Sequence, residues 1–191
     1  MLERSLSDGV GLRLLEERDA AELAQVVEEN RESLSRWLPW VAANTEQSSL
    51  EFIRLTRRQL ADNGTVNTTI TVGGRIAGMV GFRWIDWDNQ SAELGYWLAE
   101  PYRGRGVMTA ALRAYLDHAF GTLDLHRVQL EVATENVRSR AVAERVGLVE
   151  EGILREAELV GAERYDLVIY SMLATDWVQD TGTAQARDLI K

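Results

Sequence analysis

The sequence predicts a single α+β domain on a mostly antiparallel sheet, and three features of the 191-residue chain carry that reading. A period-two hairpin runs through Thr68 to Trp84 and passes by the polar turn Asp86 to Gln90 into the apolar run Ala92 to Leu98, which makes a meander. That run leads past Pro101 into the turn Arg103-Gly104-Arg105-Gly106, where alanine and leucine spacing opens a helix that reaches Phe120. A further strand, a short helix and a long final hairpin close the domain.

Taken in order, Val10 to Leu15 reads as the first strand, and Asp19 is placed to cap a helix over Ala20 to Asn30 with Leu23, Val26 and Val27 on one face. Pro39 breaks the chain between Trp37 and Trp40, two aromatics that serve either as core packing or as one wall of a substrate groove. Ser48 or Ser49 starts a second helix through Leu60, with Leu50, Ile53, Leu55 and Leu60 on its apolar side and Asn63-Gly64 as its end. In the hairpin turned by Gly73-Gly74, one face carries Ile76, Gly78, Val80, Phe82 and Trp84. Val128, Leu130 and Val132 alternate in the strand Arg127 to Ala133, and Gly147 closes a helix over Val137 to Val146. Val149 to Val160 and Arg164 to Leu173 form the last hairpin around Gly161-Ala162. The domain is thus expected over residues 1–177, with 178–191 as a polar tail.

Composition narrows the function. Hydrophobic residues make up 46% of the chain, enough for a real core, but no apolar run of about 18 residues exists to span a bilayer. Met1 to Leu15 lacks the apolar centre of a secretory signal, so the expected location is the cytoplasm, with no membrane partner. The absence of cysteine excludes a disulfide scaffold, a thiolate zinc site and a cysteine nucleophile, and no metal is expected. His118 and His126 both read as structural residues rather than triad members. The net charge of -9 is spread evenly, which disfavours nucleic acid and mildly favours a cationic substrate.

The glycine turn reads as an anion site. The first turn of a helix leaves N–H groups unpaired at the positive end of its dipole. Gly104 and Gly106 let a phosphate approach those groups, while Arg103 and Arg105 add charge, so a diphosphate would fit. A dinucleotide-binding fold is not implied, because Gly104-Arg105-Gly106 lacks the third glycine at its spacing and the preceding strand belongs to a meander. Asn136 and Ser139, at the start of the helix after the Arg127 strand, read locally as an N-cap and a first-turn residue.

These elements occur in the order found in a known family. AELGYWL at Ala92 to Leu98, RGRGVMT at Arg103 to Thr109, HRVQLEVATENVRSRAVAERVGL at His126 to Leu148 and EGILREAELVGAERYDLVIYSML at Glu151 to Leu173 together resemble the GNAT N-acetyltransferases, and within them the RimJ/RimL branch that acetylates protein N-termini. The likeness runs from about Val10 to Trp177. It implies a twisted six- to seven-stranded sheet, flanked by about four helices and splayed between its fourth and fifth strands, with acetyl-CoA in the gap. Tyr96, Trp97 and Leu98 would pair with the pantetheine arm, and Arg103, Gly104, Arg105, Gly106, Val107, Met108 and Thr109 would hold the pyrophosphate. Met108 departs from the superfamily's final Gly or Ala while suiting this branch. Asn136 and Ser139 match residues near the pantetheine and the thioester sulfur.

The resemblance further implies direct transfer of acetyl to an amine, with coenzyme A as product. Glu158 matches the carboxylate proposed as general base and Ser139 the acid to the leaving sulfur; Glu93 is a second candidate base, and Tyr96 lies nearest the expected backbone oxyanion donor. Trp37, Trp40, Glu93 and Glu158 are the expected acceptor-binding residues. An α-amine, with a pKa of about 7.8 against about 10.4 for a lysine-type amine, costs roughly 3.5 kcal/mol less to hold neutral at pH 7. A protein N-terminus is therefore favoured over a polyamine or aminoglycoside, and a non-catalytic acyl-CoA-binding module is the remaining alternative. Members of this family are often homodimers.

Overall fold

The computed structural model describes residues 3–7, 9–62 and 64–177. Its frame is an eight-stranded sheet in the order β1-β2-β3-β4-β5-β6-β8-β7. The strands are β1 (Glu3–Ser7), β2 (Val10–Arg13), β3 (Asn67–Val72), β4 (Arg75–Asp86), β5 (Ser91–Leu98), β6 (Arg127–Ala133), β7 (Val149–Val160) and β8 (Glu163–Leu173). The helices are α1 (Ala20–Glu29), α2 (Arg31–Ser35), α3 (Glu46–Ala61), α4 (Val107–Gly121) and α5 (Val137–Val146). Neighbouring strands run antiparallel except β5 and β6, which are parallel because α4 carries the chain back across the sheet. The expected strand count of six to seven is corrected to eight by β1. Its sequence ERSLS is polar and lies largely exposed at the sheet edge, so it carries no apolar alternation.

The sheet separates two cores. On one face α4 and α5 cover Phe82, Leu94, Leu130, Val168 and Tyr170. Tyr115 of α4 is fully buried there, 3.0 Å from the Thr68 hydroxyl and edge-on to Phe82 at 5.3 Å between ring centroids, a pair worth about 0.5–1.5 kcal/mol beyond its buried area. His118 is buried on the same helix, in keeping with a structural role. On the other face α1 and α3 cover only the β4–β5 half of the sheet, packing Leu23, Val27 and Ile53 against Ile76, Met79 and Trp97.

Several local expectations change. Asp19 stands at the α1 N-cap position, but its carboxylate accepts from Arg13 and from the Glu16 N–H, so it ties β2 to the preceding turn. The next helix starts at Glu46, two residues before Ser48, because Thr45 and Ser48 form a reciprocal capping box. Ser49, Ile53 and Thr56 form its buried side and Leu55 is exposed; of its expected end, Asn63 lies outside the described residues, as does the 178–191 tail. In β4, irregularities between Ile76 and Gly78 and between Phe82 and Trp84 break the expected face, so Ile76 packs in the α1–α3 core and Trp84 leaves the core side.

Candidate active site

The site begins where β5 and β6 part. Their ladder covers Ser91–Leu94 against Arg127–Leu130 and stops, although β5 continues to Leu98 and β6 to Ala133. Beyond Leu94 and Leu130 the free edge of β5 faces a gap. The splay thus falls between the fourth and fifth strands of the sequence reading, which are β5 and β6 once β1 is counted.

At the outer end of this gap lies the start of α4. Gly106 is the N-cap with φ 75°, Gly104 has φ 74°, and a Cβ at either would meet nothing within 4 Å. Positive φ explains the glycines, and the open space leaves the first-turn N–H groups approachable by an anion. Val107 and Met108 bury their side chains, so they can offer the cradle only backbone. Arg105 is exposed beside it. Arg103 is placed differently from the sequence expectation: its Nε donates to the Leu98 carbonyl at 2.9 Å, while Nη1 and Nη2 reach Glu100 and Ser33. Burial pushes its pKa down, with Glu100 opposing and Arg138 adding to the shift. Two cations missed by sequence reasoning come from α5. Arg138 acts electrostatically on Arg103, and Arg145 Nη1 donates to Thr109 Oγ1 at 3.4 Å. Both depend on α5 packing beside α4, which no local pattern announces.

The inner end is carboxylate-rich. Glu93 is 4% exposed, ion-paired to Arg83 at 2.8 Å and hydrogen-bonded by Trp84 Nε1 at 3.0 Å and Gln129 Nε2 at 3.4 Å. Three donors therefore fix this carboxylate in place. Glu158 reaches the same face through a bulge in β7: Leu154 pairs with Leu167 and Glu158 with Tyr165, so three residues of β7 oppose Asp166. Within it Glu156 has φ 49°, and its N–H donates to Asp166 Oδ1 at 2.7 Å. Burial pushes the Glu158 carboxyl pKa up, Arg83 opposes, and Glu93 adds to the rise. Trp37 stacks edge-on with Tyr165 at 5.9 Å, and Trp40 lies 6.3 Å from the Trp97 ring while remaining 46% exposed. Trp97 itself belongs to the α1–α3 core.

On the opposite face, Tyr96 of β5 meets Ser139 of α5. The two hydroxyl oxygens are 2.7 Å apart, and the tyrosine also lies 3.2 Å from the Ser139 carbonyl. Burial pushes the Tyr96 pKa up to about 12, with the Ser139 contact opposing. Asn136 caps α5 by accepting from the Ser139 N–H at 3.2 Å, which fixes the serine at the gap.

Residues 10–149 match a family pattern described as Acetyltransferase (GNAT) domain. The chain belongs to the GNAT acetyltransferases. Among relatives of this GNAT chain is YdaF of Bacillus subtilis (strain 168), provisionally named a ribosomal N-acetyltransferase, at 37% identity over 93% of this chain and 98% of YdaF. Two solved structures are similar over nearly their whole length. RimL, the ribosomal L7/L12 alpha-N-protein acetyltransferase in complex with coenzyme A, is 25% identical with a TM-score of 0.86, covering 90% of this chain and 98% of RimL. The microcin C7 self-immunity acetyltransferase MccE, in complex with acetyl-CoA and AMP, is 28% identical with a TM-score of 0.84, covering 88% and 94%.

Proposed function

We propose that this GNAT chain transfers acetyl from acetyl-CoA to the α-amine of a protein N-terminus, with a ribosomal protein as the acceptor class. The observation that carries the reading is the β5–β6 splay, with an open glycine cradle at its outer end, Glu93 at its inner end and Glu158 on the same face from β7. A diphosphate fits the cradle by charge and by space, and the edge of Gly95 to Leu98 suits an extended pantetheine arm. The complexes of MccE with acetyl-CoA and of RimL with coenzyme A support that cofactor, while the names of RimL and YdaF support the acceptor.

When bound, the thioester supplies an activated acetyl carbon. Each residue then has one task. Arg105, Arg138, Arg145 and the α4 N–H groups bind the phosphates, and Asn136 orients Ser139. Backbone near Tyr96 offers the donor for charge developing on the carbonyl oxygen. The acceptor enters as an ammonium, Glu158 takes one proton from it, and the C–N bond forms as the C–S bond breaks. Ser139 donates a hydrogen to the departing sulfur, relayed from the Tyr96 hydroxyl, and the second proton released by the new amide nitrogen passes to solvent, from which Tyr96 regains its own. Glu93, already enclosed by Arg83, Trp84 and Gln129, serves as a fixed anion rather than as the base.

The same acidic floor also suits a small polycationic amine, which is the second reading. Self-association into a homodimer is part of the proposal, supported by the exposed Val149, Ile153, Leu154 and Leu159 on edge strand β7. A cytoplasmic setting accords with ribosomal acceptors. Among the described residues no helix is long and apolar enough to cross a membrane.

Release of thiol from acetyl-CoA, measured against peptides with ribosomal-protein N-termini and against polyamines and aminoglycosides, tests the reading. Preferential turnover of a peptide supports it. Preferential turnover of a small amine moves the activity to the second reading, and cofactor binding without turnover of any amine makes the chain a binding module.

A further inference from the structure

One carboxylate at the splay has no part in the reaction above. Glu131 is the first residue of β6 past the last β5–β6 pair, Leu94 with Leu130, and so stands at the vertex where the strands separate. Alternation along β6 turns Val128, Leu130 and Val132 into the α4–α5 core and leaves Gln129 and Glu131 on the other face. Gln129 bonds Glu93 on that face. Across β8, Glu131 pairs with Ile169, and Tyr165, on the same alternating face, pairs with Glu158. Carboxylates from β5, β6 and β7 therefore lie on one face of the sheet, with Glu158 four residues along β8 from the partner of Glu131.

The charges do not balance there. Arg83 is committed to Glu93 at 2.8 Å, which leaves Glu131 and Glu158 as two further anions. Burial pushes the Glu131 carboxyl pKa up, Glu93 adds to the rise, Arg83 opposes it, and Glu158 adds again. The other charged groups near this face act around Tyr165, namely Glu163, Arg36 and Glu135. Asp166 faces the Glu156 N–H instead. Two half-buried carboxylates that share Arg83 as counter-charge, itself paired with Glu93, are unfavourable unless a cation arrives with the ligand.

We propose that Glu131 is a specificity-determining residue that receives the acceptor as its ammonium form at the vertex of the splay, on the face that also carries Glu158. The inference rests on the acetyl-transfer reading for the identity of that ligand. Glu131 takes no proton in this step. One N–H bond of the ammonium breaks, its proton passes to Glu158, and the neutral amine is left with its lone pair directed at the gap. A neutral or anionic acceptor would leave both carboxylates unbalanced, so selection by charge precedes chemistry.

Two measurements on the full chain test this. In the first, Glu131→Gln is expected to raise KM for the amine acceptor at least about tenfold while leaving KM for acetyl-CoA unchanged, with Glu131→Asp recovering part of the loss. An unchanged amine KM in a variant that turns over overturns the proposal. In the second, the carboxyl carbon of Glu158 is followed by NMR through a pH titration without any ligand. The proposal expects its midpoint to fall in Glu131→Gln, because one like charge has gone, and an unmoved midpoint overturns it. Failure of the wild type to acetylate any amine sinks the acetyl-transfer reading instead. The midpoint then still decides whether Glu131 and Glu158 share one site.

Discussion

The Tyr96 hydroxyl lies 2.7 Å from Ser139 Oγ, so a single hydrogen bond joins β5 to the first turn of α5 across the splay. This contact gives the serine a proton source on the side away from the acceptor. With the Tyr96 pKa near 12, the pair stays protonated throughout the neutral range. If the two hydroxyls act as one unit, Tyr96→Phe and Ser139→Ala should each lower kcat by about ten- to a hundredfold, and the double variant should be little worse than either single one. Fully multiplicative losses would show that they act separately. Tyr96→Phe should also cost about 1 kcal/mol of stability, read from denaturant unfolding.

Arg103 and Arg105 are neighbours in sequence with different employment. Arg103→Ala removes donors to Leu98, Glu100 and Ser33, so it should destabilise the turn by about 1–2 kcal/mol and lower the melting temperature. Arg105→Glu should leave melting within about 0.5 kcal/mol and raise KM for acetyl-CoA. The reverse pattern would place the phosphate contact on Arg103.

The β7 bulge is held by Asp166 and strained at Glu156. Asp166→Ala removes the acceptor of the Glu156 N–H and should cost about 1–2 kcal/mol, with kcat falling because Glu158 is released from its place. Asp166→Asn keeps an acceptor oxygen and should restore most of the rate. Glu156→Gly relieves a φ of 49° and should stabilise the chain by up to about 1 kcal/mol. A loss of stability in Glu156→Gly would contradict the assigned strain.

Glu151 makes stability depend on acid. Hydrogen bonds from Arg127 first, then Ser171, lower its pKa to about 2. The folded-state pKa lies below the unfolded one, so this contribution is complete above about pH 4.5 and is lost as pH falls toward 2. The carboxylate is 40% exposed, and after allowance for solvent screening the effect is about 1 kcal/mol. Glu151→Gln should therefore be less stable than the wild type at pH 7 and equal to it near pH 2, as followed by chemical denaturation across that range. A difference that persists at the acid end would assign the loss to packing.

Much of this was legible in the chain. Gly104 and Gly106 signalled positive φ and an open helix start because only glycine serves there without strain. Period-two patterning located β3 to β6, and Glu158 was found through family likeness. What escaped depended on tertiary placement. Glu131 sits in a strand whose alternation marks it only as facing away from the core, and nothing local says that β5 stops pairing one residue earlier. Arg138 and Arg145 read as solvated positions on a helix until α5 packs by α4. Thr45 lost the helix start to Ser48 because both caps fit the local pattern, and the structure uses the two together. Trp84 followed the hairpin's alternation on paper, but a bulge turned its indole to Glu93.

The pairing of β7 with β8 makes the reach of the base a matter of chain arithmetic. If the Leu154 and Leu167 register simply continued, Glu158 would stand opposite Glu163 instead of Tyr165, about 7 Å farther from the vertex yet on the same side of the sheet. The two surplus residues work as a shim that draws the arm inward without turning it over. Deleting one of them and pairing the rest regularly would set Glu158 opposite Arg164 on the reverse side, whereas deleting both would leave it opposite Tyr165 in an unbroken ladder. How far inward Glu158 stands is thus set by the number of residues the bulge absorbs, independently of any residue of β5, α4 or α5.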